Sequence, residues 1–167
     1  MKPRLRVVAL AAVVLGVSAC VSPPAPKYQP SIENTEALAR QPGKLAIGTF
    51  TAAAGVENHA LAVRASQLQG GSDGTFSTYL RDALIAELET AARYDEHSQI
   101  VLSGQLTRNE LSSGVETGTA TVSAAFVLTC DTKVCFKKEL VAHHQWQSSI
   151  IGAIAIAYVG MIYRRAA

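Results

Sequence analysis

The sequence predicts an α+β fold: a small antiparallel sheet of three to four strands with one or two helices packed on one face. Two patterns carry this expectation. Residues 76–93 return an apolar side chain every three or four positions, through Phe76, Leu80, Ala83, Leu84, Leu88 and Ala91, which is the period of an amphipathic helix. Residues 118–129 alternate with period two instead, Ala120, Val122, Ala124, Phe126 and Leu128 against Thr119, Thr121, Ser123, Ala125 and Val127, as in a half-buried antiparallel strand. A polar turn and a second strand-like run at 135–149 extend that strand into a long hairpin, and a helix laid on a hairpin makes a two-layer sandwich.

The chain opens with Lys2, Arg4 and Arg6, continues as an uncharged run, and reaches Val17-Ser18-Ala19-Cys20. This is the layout of an export signal, and its apolar stretch of about 15 residues is shorter than the roughly 20 that a membrane-spanning helix needs. Val17-Ser18-Ala19-Cys20 resembles the lipobox of bacterial prolipoproteins, an apolar residue and two small ones before an obligatory cysteine. The resemblance implies that residues 1–19 are a lipoprotein signal peptide, cut before Cys20, whose thiol carries a diacylglycerol and whose new amino group is acylated. Stable anchoring takes more than one acyl chain, a condition that such a modification meets. Val21 stands where an inner-membrane retention signal would have Asp, which implies a lipid-anchored position in the cell envelope, at the outer membrane facing the periplasm.

Residues 20–43 then read as the lipidated cysteine and a tether. Five of the six prolines lie here, at Pro23, Pro24, Pro26, Pro30 and Pro42, and a polyproline-like spacer extends about 3.1 Å per residue. Within it, residues 32–40 fit a helical turn. Residues 44–167 form one α+β domain with an apolar C-terminal segment. Its first strand is 44–50, with Leu45, Ile47 and Thr49 on one face. Residues 51–68 fit a weak helix, a strand or a loop, and 69–74 is a glycine-rich breaker that matches neither a P-loop nor a GxGxxG turn. After the helix, Gln99 to Leu106 reads as a strand. The run 150–163 is uncharged and almost wholly apolar; it fits a second helix buried on the sheet, a segment touching the membrane or a partner, or a chain that stops early.

Charge gives no argument for nucleic acid. Removing residues 1–19 takes away three of the 15 basic residues and none of the 13 acidic ones, so a formal charge of +2 becomes −1 on the 148 that remain. Cysteine usage fits export: Cys130 and Cys135 flank Asp131-Thr132-Lys133-Val134, and a four-residue hairpin loop there would set them opposite each other for a disulfide in an oxidising compartment. A reactive thiol pair, metal ligands or two reduced thiols are the alternatives.

No catalytic residue, metal site or cofactor is expected. His143 and His144 are adjacent, and on a strand neighbouring side chains point to opposite faces, so they cannot readily chelate one ion. Glu87 and Glu89 lie two apart on the helix and point in different directions; both read as part of a solvated face. Trp146 and Tyr79 read as packing residues. The chain has no HExxH, GxSxG or SxxK motif. Past the lipobox, the order of tether, strand, helix, strands and apolar C-terminal run resembles, in layout, small outer-membrane lipoproteins of the YajG type and auxiliary lipoproteins of envelope lipid-transport systems, departing from them at its short C-terminus. That implies a non-catalytic, membrane-anchored binding or assembly module, held on the lipid bilayer through acylated Cys20 and engaging an envelope protein. The alternatives are an envelope hydrolase without a recognisable motif, and a structural lipoprotein whose C-terminal segment packs into a membrane complex.

Overall fold

A computed structural model describes residues 24–64, 66–114 and 116–147. The signal peptide, Cys20 and the apolar run 150–163 lie outside the described residues. The fold is α+β, and the described residues form two helices, a four-stranded sheet and a separate two-stranded hairpin. In chain order these are α1 (Ile32–Ala39), β1 (Ala46–Ala52), β2 (Ala60–Val63), β3 (Ser66–Gln69), α2 (Phe76–Thr90), β4 (Ile100–Ser113), β5 (Thr117–Cys130) and β6 (Lys133–Gln147).

The large sheet has the order β1-β4-β5-β6. The β4, β5 and β6 strands form an antiparallel meander, as the alternation predicts, but β1 joins β4 in parallel, where an antiparallel sheet was expected. The connection explains it: α2, about 22 Å long at ~1.5 Å per residue, carries the chain back along the sheet, so the next strand starts at the same end as β1. A register shift between Ile47 and Phe50 also corrects the face expected for β1, since it buries Phe50 and leaves Thr49 exposed.

Helix α2 forms as its period predicts. Thr75 caps it by accepting from the Thr78 amide, and Phe76, Tyr79, Leu80, Ala83, Leu84 and Leu88 along it are buried. Full burial of each large apolar side chain contributes roughly 1.5–3 kcal/mol. Beneath the helix the core continues through Ile47, Phe50, Leu106, Ala120, Val122, Ala124 and Phe126. Gly104 has a part in this, because a Cβ there would lie 2.3 Å from the Phe50 ring, which packs edge-on against Phe126 with centroids 6.3 Å apart. Residues 51–68 resolve into the end of β1, a loop and most of the β2–β3 hairpin, which adds Leu61, Val63 and Leu68 to the same core.

The tether expectation needs correction from Pro24 onward. This proline-rich segment packs onto the domain: Pro24 bridges Gln69, the Ala25 amide donates to the Gln69 carbonyl at 2.9 Å, and Tyr28 is buried in the core. Prolines spoil a ladder by lacking a donor, but here an alanine supplies the donor and Pro26 only accepts, from the Tyr79 hydroxyl at 2.8 Å. The residues after it form α1, capped by Ser31 and packed on α2.

Candidate functional site

The Cys130–Cys135 pair is bonded, with S–S 2.09 Å and Cα atoms 5.8 Å apart. The loop between them is shorter than expected. Asp131 and Thr132 alone make the turn, with φ of 46° and 72°, so Cys130 pairs with Lys133 and Thr129 with Val134. Leu128 then pairs with Phe136, which leaves Cys135 as the extra residue of a bulge, swung toward Cys130.

The bulge governs what β6 presents. Because the register resumes at Phe136, that residue and Leu140 share the helix side of the sheet with their partners Leu128 and Ala124, while Val134 and Val141 take the other side. Helix α2 lies over β1 and β4 and leaves this end of β6 uncovered. Phe136 is 51% exposed, Leu140 40%, Val141 65% and Val134 64%, on the edge strand of the sheet. Among the described residues this edge is unpaired; an unpaired edge with apolar side chains on both faces is a template for another strand, and Lys133, Lys137 and Lys138 along it are the charges that keep such edges from indiscriminate pairing.

Toward its end β6 is anchored. Trp146 is buried across Gly118, its pairing partner, and stacks on His144 with ring centroids 6.2 Å apart. His143 points to the opposite face, where its Nδ1 lies 3.0 Å from Thr121 Oγ1. The two histidines therefore have separate environments. Among the described residues, no three His, Cys, Asp or Glu side chains are grouped for a metal ion.

Residues 24–28 lie along α2 as a strap. Between strap and helix is a pocket of about 330 Å³ walled by Pro24, Ala25, Tyr28, Gly71, Tyr79 and Ala86. Glu87 holds the strap. The expectation of a solvated Glu87 is corrected here, since it is 1% exposed and its Oε1 accepts from the Tyr28 hydroxyl, the Ser31 amide at 3.1 Å and Asn34 Nδ2 at 3.0 Å. A carboxylate at this point faces the positive end of α1, which favours it. Sequence reasoning missed both Tyr28 and Glu87. The signals were an aromatic residue inside a proline-rich stretch and a carboxylate sitting on the apolar stripe of a helix.

The glycine-rich loop before α2 uses its own amides. Gly70 donates to the His59 carbonyl, Gly71 to that of Thr75, and Gly74 to that of Gly71. Asp73 accepts from the Thr75 amide at 2.8 Å, the Thr75 hydroxyl at 2.7 Å and the Thr78 hydroxyl at 2.7 Å, and these bonds, that of Thr78 foremost, hold its carboxyl below the ordinary aspartate pKa. Among the described residues, no helix is long and apolar enough to cross a membrane.

An α+β sandwich with an apolar sheet edge, unpaired among the described residues, and a strapped helix is the class of protein that this geometry defines. No family model matches the chain, and no curated protein matches it. Among solved structures, the crystal structure of protein XCC0632 from Xanthomonas campestris, of family DUF330, is similar, with a TM-score of 0.63 at 13% identity over 87% of this chain and 89% of that one. At that identity the likeness shows the fold alone.

Proposed function

We propose that this chain is a bacterial lipoprotein, anchored in the cell envelope through acylated Cys20, that acts as a non-catalytic binding or assembly module for another envelope protein. The observation that carries the binding role is the end of β6 where Phe136, Leu140, Val134 and Val141 stand exposed on an edge that is unpaired among the described residues. Leaving large apolar groups in water forgoes roughly 25 cal/mol per Å² of stabilisation, which a partner's strand or apolar face would recover. The lipobox Val17-Ser18-Ala19-Cys20 supports the anchored location, and Val21 after it supports the outer membrane.

The test uses the full chain in its native host, with a photoreactive benzoylphenylalanine at Leu140 and, as control, at exposed Glu96 on the loop before β4. A discrete envelope-protein adduct from position 140 that is absent from position 96, and lost when Cys20→Ala releases the protein from the membrane, is the expected result. Equal labelling from both positions overturns the edge as the binding surface.

A further inference from the structure

We propose that the pocket between the strap and α2 takes one acyl chain, carried by Cys20 of the same molecule. The inference rests on the lipoprotein reading and adds to it where one of the lipids goes.

The walls select the chemistry. They are proline rings, alanine methyls and tyrosine ring faces, and the tyrosine hydroxyls are already engaged, Tyr79 with the Pro26 carbonyl and Tyr28 with Glu87. A ligand gains little hydrogen bonding from such walls and gains mainly from apolar burial. At about 30 Å³ for a water-sized group, a volume of 330 Å³ admits on the order of ten methylenes, within the range of small-molecule pockets. Lys27, Ser72 and Asp82 also border the space, with Ser72 Oγ donating to Asp82 Oδ2 at 3.3 Å. One cation and one anion leave no net charge to draw in a fatty-acid carboxylate, whereas the neutral amide and ester linkages of a protein-bound lipid suit the site.

Chain length selects the source. Pro24 is part of the pocket wall, and Cys20 precedes it by four residues, which span at most about 14 Å when fully extended. An acyl chain on Cys20 therefore starts close beside the pocket and competes for it at the high effective concentration of a short linker. One chain in the pocket leaves the remaining acyl groups in the bilayer, where more than one is needed for stable anchoring. The domain is then drawn against the membrane, with the strap side toward the lipid.

The experiment is metabolic labelling of the native host with a diazirine fatty acid, irradiation of the intact membranes, and mass spectrometry of the purified full-length mature protein. The expected result is an intramolecular link from the Cys20 lipid to the peptides bearing Tyr79 and Ala86, reduced at least tenfold by Ala86→Trp and by Ser72→Trp, which fill the pocket from two different walls. The single tryptophan of the parent protein, Trp146, monitors folding in unsubstituted controls, and circular dichroism does so in the variants. An acylated Cys20 whose crosslinks reach bilayer lipid alone overturns the proposal. Pocket adducts of unattached phospholipid also overturn it, because the pocket then takes free lipid. A Cys20 with no acyl mass removes the lipoprotein reading itself, an outcome read independently of any crosslink.

Discussion

The hydroxyl of Tyr28 donates to the buried carboxylate of Glu87, 59 residues further along the chain, and this bond fastens the proline-rich strap to α2. Tyr28→Phe removes the donor from a carboxylate whose Oε2 already has no hydrogen-bond partner among the described residues. Bonds to charged groups contribute about 1.5–3 kcal/mol, so urea unfolding is expected to show a loss in that range. Trypsin should cut faster at exposed Lys27 and Arg40. Glu87→Gln, which keeps an acceptor, should lose less than Glu87→Ala.

Gly118 lies under the Trp146 indole, and a Cβ there would fall 2.1 Å from Cε2. Gly118→Ala forces the ring out or the strands apart, at a cost of about 1–3 kcal/mol. Because Trp146 is the single tryptophan, its emission should shift to the red in the folded variant, alongside a lower Tm.

Helix α2 ends with Ala92 at φ 56°, while the Arg93 amide donates to the Leu88 carbonyl at 2.7 Å and that of Ala92 to Glu89 at 3.0 Å. This is the Schellman arrangement, in which glycine is the usual residue at the left-handed position. Ala92→Gly should therefore stabilise the protein by about 0.5–1 kcal/mol, against the ordinary expectation for a glycine substitution. Thermal unfolding checks the sign.

Asp73 has its carboxyl pKa lowered in the folded protein, chiefly by the Thr78 hydroxyl. A lowered folded pKa contributes stability that is present above the ordinary aspartate range and lost as pH falls through the folded value. Asp73→Asn should thus be less stable than the parent at neutral pH, by at most about 1 kcal/mol for an exposed carboxylate at a helix N-terminus, and the two should converge in acid. Paired denaturation curves at pH 7 and in acid measure the convergence.

The elements with a strict period were legible in the sequence: α2 from its recurrence at three and four, β5 from its alternation, and β6 from the turn before it. The parallel pairing of β1 was not, because a strand's own residues do not encode which neighbour a crossover brings to it. The strap was misread because prolines signal a broken ladder, while its docking uses an alanine amide, a proline carbonyl and the buried Tyr28 side chain. The two cysteines were legible as partners. Their loop was not, since the bulge at Cys135 depends on cross-strand register, and that same bulge sets which side of the sheet Phe136 and Leu140 occupy. Glu87 looked solvated because its partners lie 53 to 59 residues away in sequence.

Anchoring, envelope location and the lipid in the pocket all rest on Cys20 being the acylated first residue of a membrane-bound protein. Intact-mass analysis of the protein purified from its native membrane, beside a Cys20→Ala variant, addresses it directly. The expected result is a mature chain that begins at Cys20 with added acyl mass, and a variant that keeps its signal or leaves the membrane. An unacylated, soluble mature chain would contradict it.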